Sequence, residues 1–210
     1  MKFGVLQFPG SCDERDAVLA CERVGEARLV WHGDRDLGDV DAVVIPGGFS
    51  YGDYLRVGAI ARFAPIMGEV ERFARHGGLV LGICNGFQVL CEAGLLAGAL
   101  LPNTSLRFVC RQVELEVVNT SIPWTRSLEV GQRLSIPAKH TTGRYWARDL
   151  PEEQIVVRYA PGHNFNGSMD DIAGVCNPEG NVMGLMPHPE HAVDVLTGSV
   201  DGLALIGAPA

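Results

Sequence analysis

The chain has 210 residues, 47% apolar and 20% charged, with a net charge of −8. This suits one globular domain spanning residues 1–210 with a substantial core, and excludes disordered and fibrous classes. Acids and bases are scattered, with no basic stripe, no polybasic patch and no apolar run near the roughly 20 residues of a bilayer crossing, which argues against nucleic acid and membranes as partners.

Residues 1–10 carry one positive charge and too short an apolar segment for a secretion signal, so the expected location is cytoplasmic. Residues 2–8 read instead as a first buried strand. Ser11 and Glu14 have capping-box spacing, with Ser11 at the N-cap of a helix carrying Ala17, Cys21 and Val24 on one side and stopping near Gly25. Residues 29–31 form a short second strand. Residues 41–45 form a third, broken by Pro46, Gly47 and Gly48. Pro65 suits the first turn of a second helix whose stripe is Ile66, Met67, Val70, Phe73 and Ala74; Gly77 and Gly78 end it, and residues 79–83 follow as a continuous apolar strand. Such runs suit a parallel sheet buried on both faces, so the fold class is α/β: an open, mostly parallel sheet with helices on both faces.

The pattern changes after about residue 105. Val109, Val113, Leu115 and Val117 alternate with Gln112, Glu114 and Glu116, the mark of a half-exposed, antiparallel strand. Further strands are expected near 133–137, 155–159, 173–176 and 182–186, which adds antiparallel strands to the C-terminal half.

Six cysteines are present without a C-x-x-C pair or a secretory context, so disulfides and zinc are not expected, and most thiols read as buried small hydrophobes. Cys84 differs. Gly82-Ile83-Cys84-Asn85-Gly86 sits between a buried strand and a helix-compatible segment, the arrangement of a nucleophile elbow with cysteine in place of serine. The flanking glycines relieve crowding in a turn that forces its central residue into a strained conformation. A helix N-terminus and a neighbouring imidazolium would favour the thiolate.

The base is expected in Pro187-His188-Pro189-Glu190, 104 positions further on. The two prolines restrict the histidine backbone, and Glu190 can accept a hydrogen bond from the second ring nitrogen. His32, His76, His163 and His191 read as surface residues, whereas His140 is a candidate contact to a ligand or partner. Acyl transfer also requires oxyanion donors, for which the N–H groups of Gly48 and Asn85 are placed at strand ends. No metal ligand set is singled out.

Pro46-Gly47-Gly48, Gly82-x-Cys84-x-Gly86-x-Gln88 and Pro187-His188-Pro189-Glu190, in this order, resemble the class I, triad-type glutamine amidotransferases. Residues 46–56, 82–88, 164–168 and 184–190 are similar to signature segments of the glutaminase subunits of phosphoribosylformylglycinamidine synthases, and the likeness runs from Met1 to about Leu205. The resemblance implies a flavodoxin-like fold and hydrolysis of free glutamine to glutamate and ammonia through a cysteine thioester. The ammonia would feed a large synthase subunit that makes formylglycinamidine ribonucleotide in purine synthesis. That subunit, not this chain, would use ATP and magnesium, and a small accessory subunit would complete the assembly. By resemblance, Cys84, His188 and Glu190 form the triad, Gly48 and Asn85 the oxyanion donors, and Gly47 and Gln88 the glutamine contacts. The chain departs from the family where Thr141-Thr142-Gly143 follows His140, in place of the usual Gly-Glu-Gly, and where His191 replaces an arginine. The competing readings are a glutaminase subunit of another amidotransferase and a non-catalytic redox or stress protein. Phe49, Tyr51, Tyr54 and Leu55 put apolar surface near the expected site mouth, where a protein interface and ordinary packing are both open.

Overall fold

The computed structural model describes residues 1–209. The first strand, β1 (Lys2–Gln7), leads into α1 (Glu14–Glu22) and then β2 (Glu26–Trp31), which pairs parallel to β1 along its full length. The expected capping box does not form. Asp13 stands at the N-cap of α1 without a side-chain cap bond, because its carboxylate is drawn to Lys139 and His191. Ser11 Oγ instead accepts from the Phe8 N–H at 3.0 Å. Strand β2 begins three residues earlier than its apolar residues imply. It is the sheet edge, and its exposed positions hide the strand signal.

Strand β3 (Ala42–Ile45) is wholly buried and pairs parallel to β1; α2 (Pro65–Arg75) buries Ile66, Met67, Val70 and Ala74; β4 (Leu79–Ile83) pairs parallel to β3. Then α3 (Asn85–Glu92) starts one residue beyond Cys84. It packs on one face of the sheet, where a side chain at Gly82 would meet Leu90 and one at Gly184 would meet Phe87. Right-handed crossovers put α1, which carries the chain outward from β1 to β2, on the opposite face from α2, which carries it the other way from β3 to β4.

A two-stranded ribbon of β5 (Ala99–Pro102) and β8 (Thr142–Trp146) lies outside the nine-stranded sheet and leaves little trace in the sequence, since both strands are short and Pro102 and Gly143 read as turn residues. The remaining strands are β6 (Val109–Val117), β7 (Arg133–His140), β9 (Ile155–Tyr159), β10 (Ile172–Cys176) and β11 (Val182–Leu185), followed by the short α4 (Gly202–Ile206). Strand β7 runs three residues past its expected end. As an edge strand it tolerates Pro137, which donates no ladder bond.

The nine-stranded sheet has the order β2-β1-β3-β4-β11-β10-β9-β6-β7. Pairings from β2 to β11 are parallel and those from β11 to β7 antiparallel. Strand β11 therefore returns to lie in register beside β4, Leu185 opposite Ile83, and brings the two motifs at their carboxyl ends together. The core follows the sheet and includes Trp124, Tyr145, Tyr159, Phe3 and Phe87, all fully buried.

Candidate active site

Cys84 sits on the turn between β4 and α3 with φ 50° and ψ −102°, a conformation that costs a non-glycine residue about 1–3 kcal/mol. Packing of α3 against β3 and β4 holds it there. A side chain at Gly86 would land on the Ile45 carbonyl, and one at Gly82 would come within 2.8 Å of Gly86. The Cys84 N–H donates to the Leu185 carbonyl at 2.8 Å, tying the turn to β11.

His188 and Glu190 are almost completely buried. The His188 N–H donates to the Pro137 carbonyl at 2.8 Å, and Nδ1 lies 2.6 Å from Glu190 Oε1. Nε2 is buried and completes no hydrogen bond of good geometry, yet the Cys84 sulfur is close enough to act on the ring's charge. Burial opposes an imidazolium, but Glu190 and then Cys84 more than offset it, so the His188 pKa is raised. The structure thus brings together the sulfur, the imidazole and the carboxylate expected from sequence, and the carboxylate bonds the ring nitrogen that leaves Nε2 for the sulfur.

Sequence reasoning missed Asp13 and Lys139. Asp13 is buried; its Oδ1 accepts from Lys139 Nζ at 2.6 Å and lies 3.3 Å from His191 Nε2, while Oδ2 is 3.6 Å from His188 Nδ1. Burial would raise its pKa, but His191, His188 and Lys139 together pull it well below the carboxylate range. A lone aspartate and a lone lysine in unrelated segments carry no signal of this. His191, expected at the surface, joins the same cluster. Asp13, His188, Glu190 and His191 present potential ligand atoms within 4.8 Å of one another, although Asp13 Oδ1 is bonded to Lys139 and Glu190 Oε1 to His188.

Gly47, two residues beyond the end of β3, meets this cluster. A side chain there would collide with Asp13 Oδ2 and approach His188 Cε1 to 2.7 Å, and its carbonyl accepts from the N–H groups of Cys12 and Asp13. Its visible duty is close packing. Gly48 has φ 141°, and a side chain there would sit 2.6 Å from the Cys12 nitrogen. The N–H groups of Gly48 and Asn85 donate to no group among the described residues, the latter because it opens α3. The Asn85 side chain accepts from the Ser50 N–H at 3.1 Å and donates to Gln88 Oε1 at 2.8 Å; Gln88 Nε2 donates to the Thr142 carbonyl at 2.5 Å. Internal bonds therefore already hold the Gln88 amide.

These groups border a cleft of about 140 Å³ that Cys84, Gly48, Gln88, His188, Lys139 and Asp53 help to line. That is smaller than the roughly 300–1,000 Å³ of drug-sized sites and suits a small metabolite. His140 also lines it. Its Nδ1 pairs with Asn103 Oδ1 at 3.0 Å, and burial followed by the charge of His188 lowers its pKa to about 3, so the ring is neutral. Phe49 and Phe108, which line the cleft, are exposed, as are Tyr54 and Leu55 in the segment that follows Asp53, Leu55 at 92%. Tyr51 is turned inward, its hydroxyl 2.7 Å from His32 Nδ1. Of the six cysteines, Cys21, Cys84 and Cys176 are buried, Cys91 is half-buried, and Cys12 and Cys110 are exposed, fewer buried thiols than composition suggests.

Residues 1–202 match the CobB/CobQ-like glutamine amidotransferase domain. The chain is 55% identical over 213 aligned residues to phosphoribosylformylglycinamidine synthase subunit PurQ of Rubrobacter xylanophilus, covering 98% of this chain and 96% of that protein. It is 56% identical to the Mycobacterium bovis subunit of the same name, covering 97% and 94%. Among solved structures it resembles a chain of PurLQS from Thermotoga maritima with a TM-score of 0.93 and 45% identity, covering 99% of this chain and 96% of that one.

Proposed function

The chain belongs to the CobB/CobQ-like glutamine amidotransferase family, and from that premise we propose that Cys84, His188 and Glu190 carry its glutaminase chemistry. The protein is the glutamine amidotransferase subunit of a phosphoribosylformylglycinamidine synthase and acts in purine biosynthesis. A subunit of another amidotransferase and a redox or stress protein are not favoured, since the relatives at 55–56% identity are this one subunit along nearly their whole length.

The reading of the site rests above all on the buried His188 ring, bonded through Nδ1 to Glu190 and near enough to the Cys84 sulfur for each to bear on the other's charge. The thiolate attacks the side-chain amide carbon of glutamine, and the oxygen moves into the Gly48 and Asn85 N–H pair. His188 gives its proton to the departing ammonia, then takes one from the water that cleaves the thioester to glutamate. Nucleophile and charge stabilisation both come from protein groups, so this chain contributes no metal or cofactor to the reaction. Gly47 lets His188 approach the oxyanion loop, and Gln88 braces the floor of the glutamine site. Residues 1–210 work as one glutaminase domain in the cytoplasm, where thiols stay reduced.

Ammonia released into water would be protonated and lost, so a synthase subunit docks over the cleft mouth, where Tyr54 and Leu55 stand out. That subunit uses ATP and magnesium to convert formylglycinamide ribonucleotide to its amidine, with a small accessory subunit in the assembly. Glutaminase activity is to be measured with and without the synthase subunits, on wild type and Cys84→Ala. The expected result is activity that rises on assembly and is absent from the variant; turnover surviving Cys84→Ala refutes the mechanism.

A further inference from the structure

A second imidazole stands behind the triad, and the reaction as described makes no use of it. His191 closes the short turn that begins at Pro189; its N–H donates to the His188 carbonyl at 3.2 Å, and its ring centroid is 5.3 Å from that of His188. Its Nε2 faces three carboxylates: Asp13 Oδ1 at 3.3 Å, Glu190 Oε1 at 3.5 Å and Asp16 Oδ2 at 4.0 Å. Two of these also face His188 Nδ1, Glu190 through the same oxygen at 2.6 Å and Asp13 through Oδ2 at 3.6 Å. The two rings thus share a pair of buried carboxylates. The Glu190 carboxylate has no other polar anchor, because its Oε2 is buried and meets no donor among the described residues.

Before attack on glutamine the site holds a Cys84 thiolate, an imidazolium at His188 and the anions of Glu190 and Asp13, with Lys139 bonded to Asp13 as the second cation. Three negative charges then meet two positive ones, and a surplus buried charge is costly. Asp16 is half-exposed and is solvated by water. The other groups around the turn do not supply the missing cation: α4 has no ionisable side chain, and Cys21 of α1 is a neutral thiol, pushed up to about 12 by burial. Arg23, at the end of α1, pairs with Asp194 at 3.5 Å instead. His191 is the remaining group, and its side chain is only part-buried, so it can exchange protons with water. We propose that His191, in its protonated form, is a positioning residue for catalysis: it fixes Glu190 and Asp13 against His188 and balances the charge of the triad. It does not line the glutamine cleft, so it acts through the other residues. This rests on the glutaminase reading of the site.

The test measures glutaminase turnover in the assembled synthase complex containing wild type, His191→Gln or His191→Arg, from about pH 5 to about pH 9. His191→Gln keeps a donor but no charge. Its kcat should be about 10- to 100-fold below wild type at the acid end, the cost of a reacting ring displaced by up to about 1 Å. KM for glutamine should change little, because the lining of the cleft is intact. His191→Arg carries a charge that pH does not remove. Its kcat should match wild type at the acid end, and the ratio of wild type to His191→Arg should fall as pH rises and the imidazolium at position 191 is lost. The ionisations of Cys84 and His188 are common to both proteins and cancel in that ratio. A poor fit of arginine scales the ratio by a constant and leaves its pH dependence readable, whereas a side chain needed only for packing gives no pH dependence. A ratio flat with pH, or a His191→Gln protein with wild-type kcat, overturns the assignment and leaves the glutaminase reading standing. Turnover that survives Cys84→Ala in the same complex overturns the glutaminase reading and this inference with it.

Discussion

Replacing Gly47 by alanine adds one methyl group where the turn after β3 meets the imidazole. The new carbon would overlap Asp13 Oδ2 and lie 2.7 Å from His188 Cε1, well inside van der Waals contact. Neither neighbour can give way cheaply, since Asp13 is bonded to Lys139 and His188 to both Glu190 and the Pro137 carbonyl. Overpacking of this kind costs about 1–3 kcal/mol of stability, and displacing a reacting group by about 1 Å costs on the order of 10²-fold in rate. Gly68 supplies the control. It is exposed in α2, and a methyl group added there would have nothing within 4 Å, so Gly68→Ala should stabilise by about 0.5–1 kcal/mol. Urea unfolding and glutaminase turnover with the synthase subunits, measured on both variants, separate the two effects. A folded Gly47→Ala protein with wild-type turnover would refute the claim that this glycine sets the position of the ring.

Three further outcomes are expected. Glu190→Gln keeps the shape but offers an amide N–H to Nδ1 in place of an acceptor, so turnover should fall by on the order of 10³–10⁴-fold with little change in fold, as seen in circular dichroism. Asp13→Asn weakens the charged contact that helps to place the His188 ring and should lower turnover by about 10- to 100-fold. Because the folded pKa of Asp13 is depressed, its stabilising effect is present above the unfolded value of about 3.9 and is lost as pH falls below it; the gap in urea midpoint between wild type and Asp13→Asn should be full at pH 7 and shrink below about pH 4. Asn181→Ala removes two 2.8 Å bonds to the Ala74 and Gly78 carbonyls that close the end of α2, and should cost about 2–4 kcal/mol in urea unfolding without changing the KM for glutamine.

Much of this architecture is legible in the residues because periodicity and packing agree. Strands β3 and β4 are continuous apolar runs and are buried throughout or nearly so, and the glycines around Cys84 are those whose side chains would collide with Ile45 and Leu90. Glu190 lies two residues from His188, so their pairing could be read from one short segment. Strand β2 shows the limit: an edge strand has few positions to bury, and its pairing with β1 depends on a neighbour rather than on its own pattern. Asp13 shows the other limit. Its local context reads as helix-cap chemistry, but the groups it serves come from residues 139, 188 and 191, and only the closed sheet puts them beside it. Composition likewise could not distinguish His191, drawn into that cluster, from His76, which remains exposed.

The place of β11 beside β4 has a consequence for the chain as it is being made. The ribosome completes Cys84 about 100 residues before it reaches His188, roughly 5 to 20 s earlier at ordinary synthesis rates. Until then one edge of β4 has no neighbour, and the Cys84 N–H that Leu185 will accept is still waiting for its partner. On the mechanism proposed above, the thiol is therefore born without its proton acceptor, and glutamine turnover is expected only after His188 has emerged and β11 has docked beside β4.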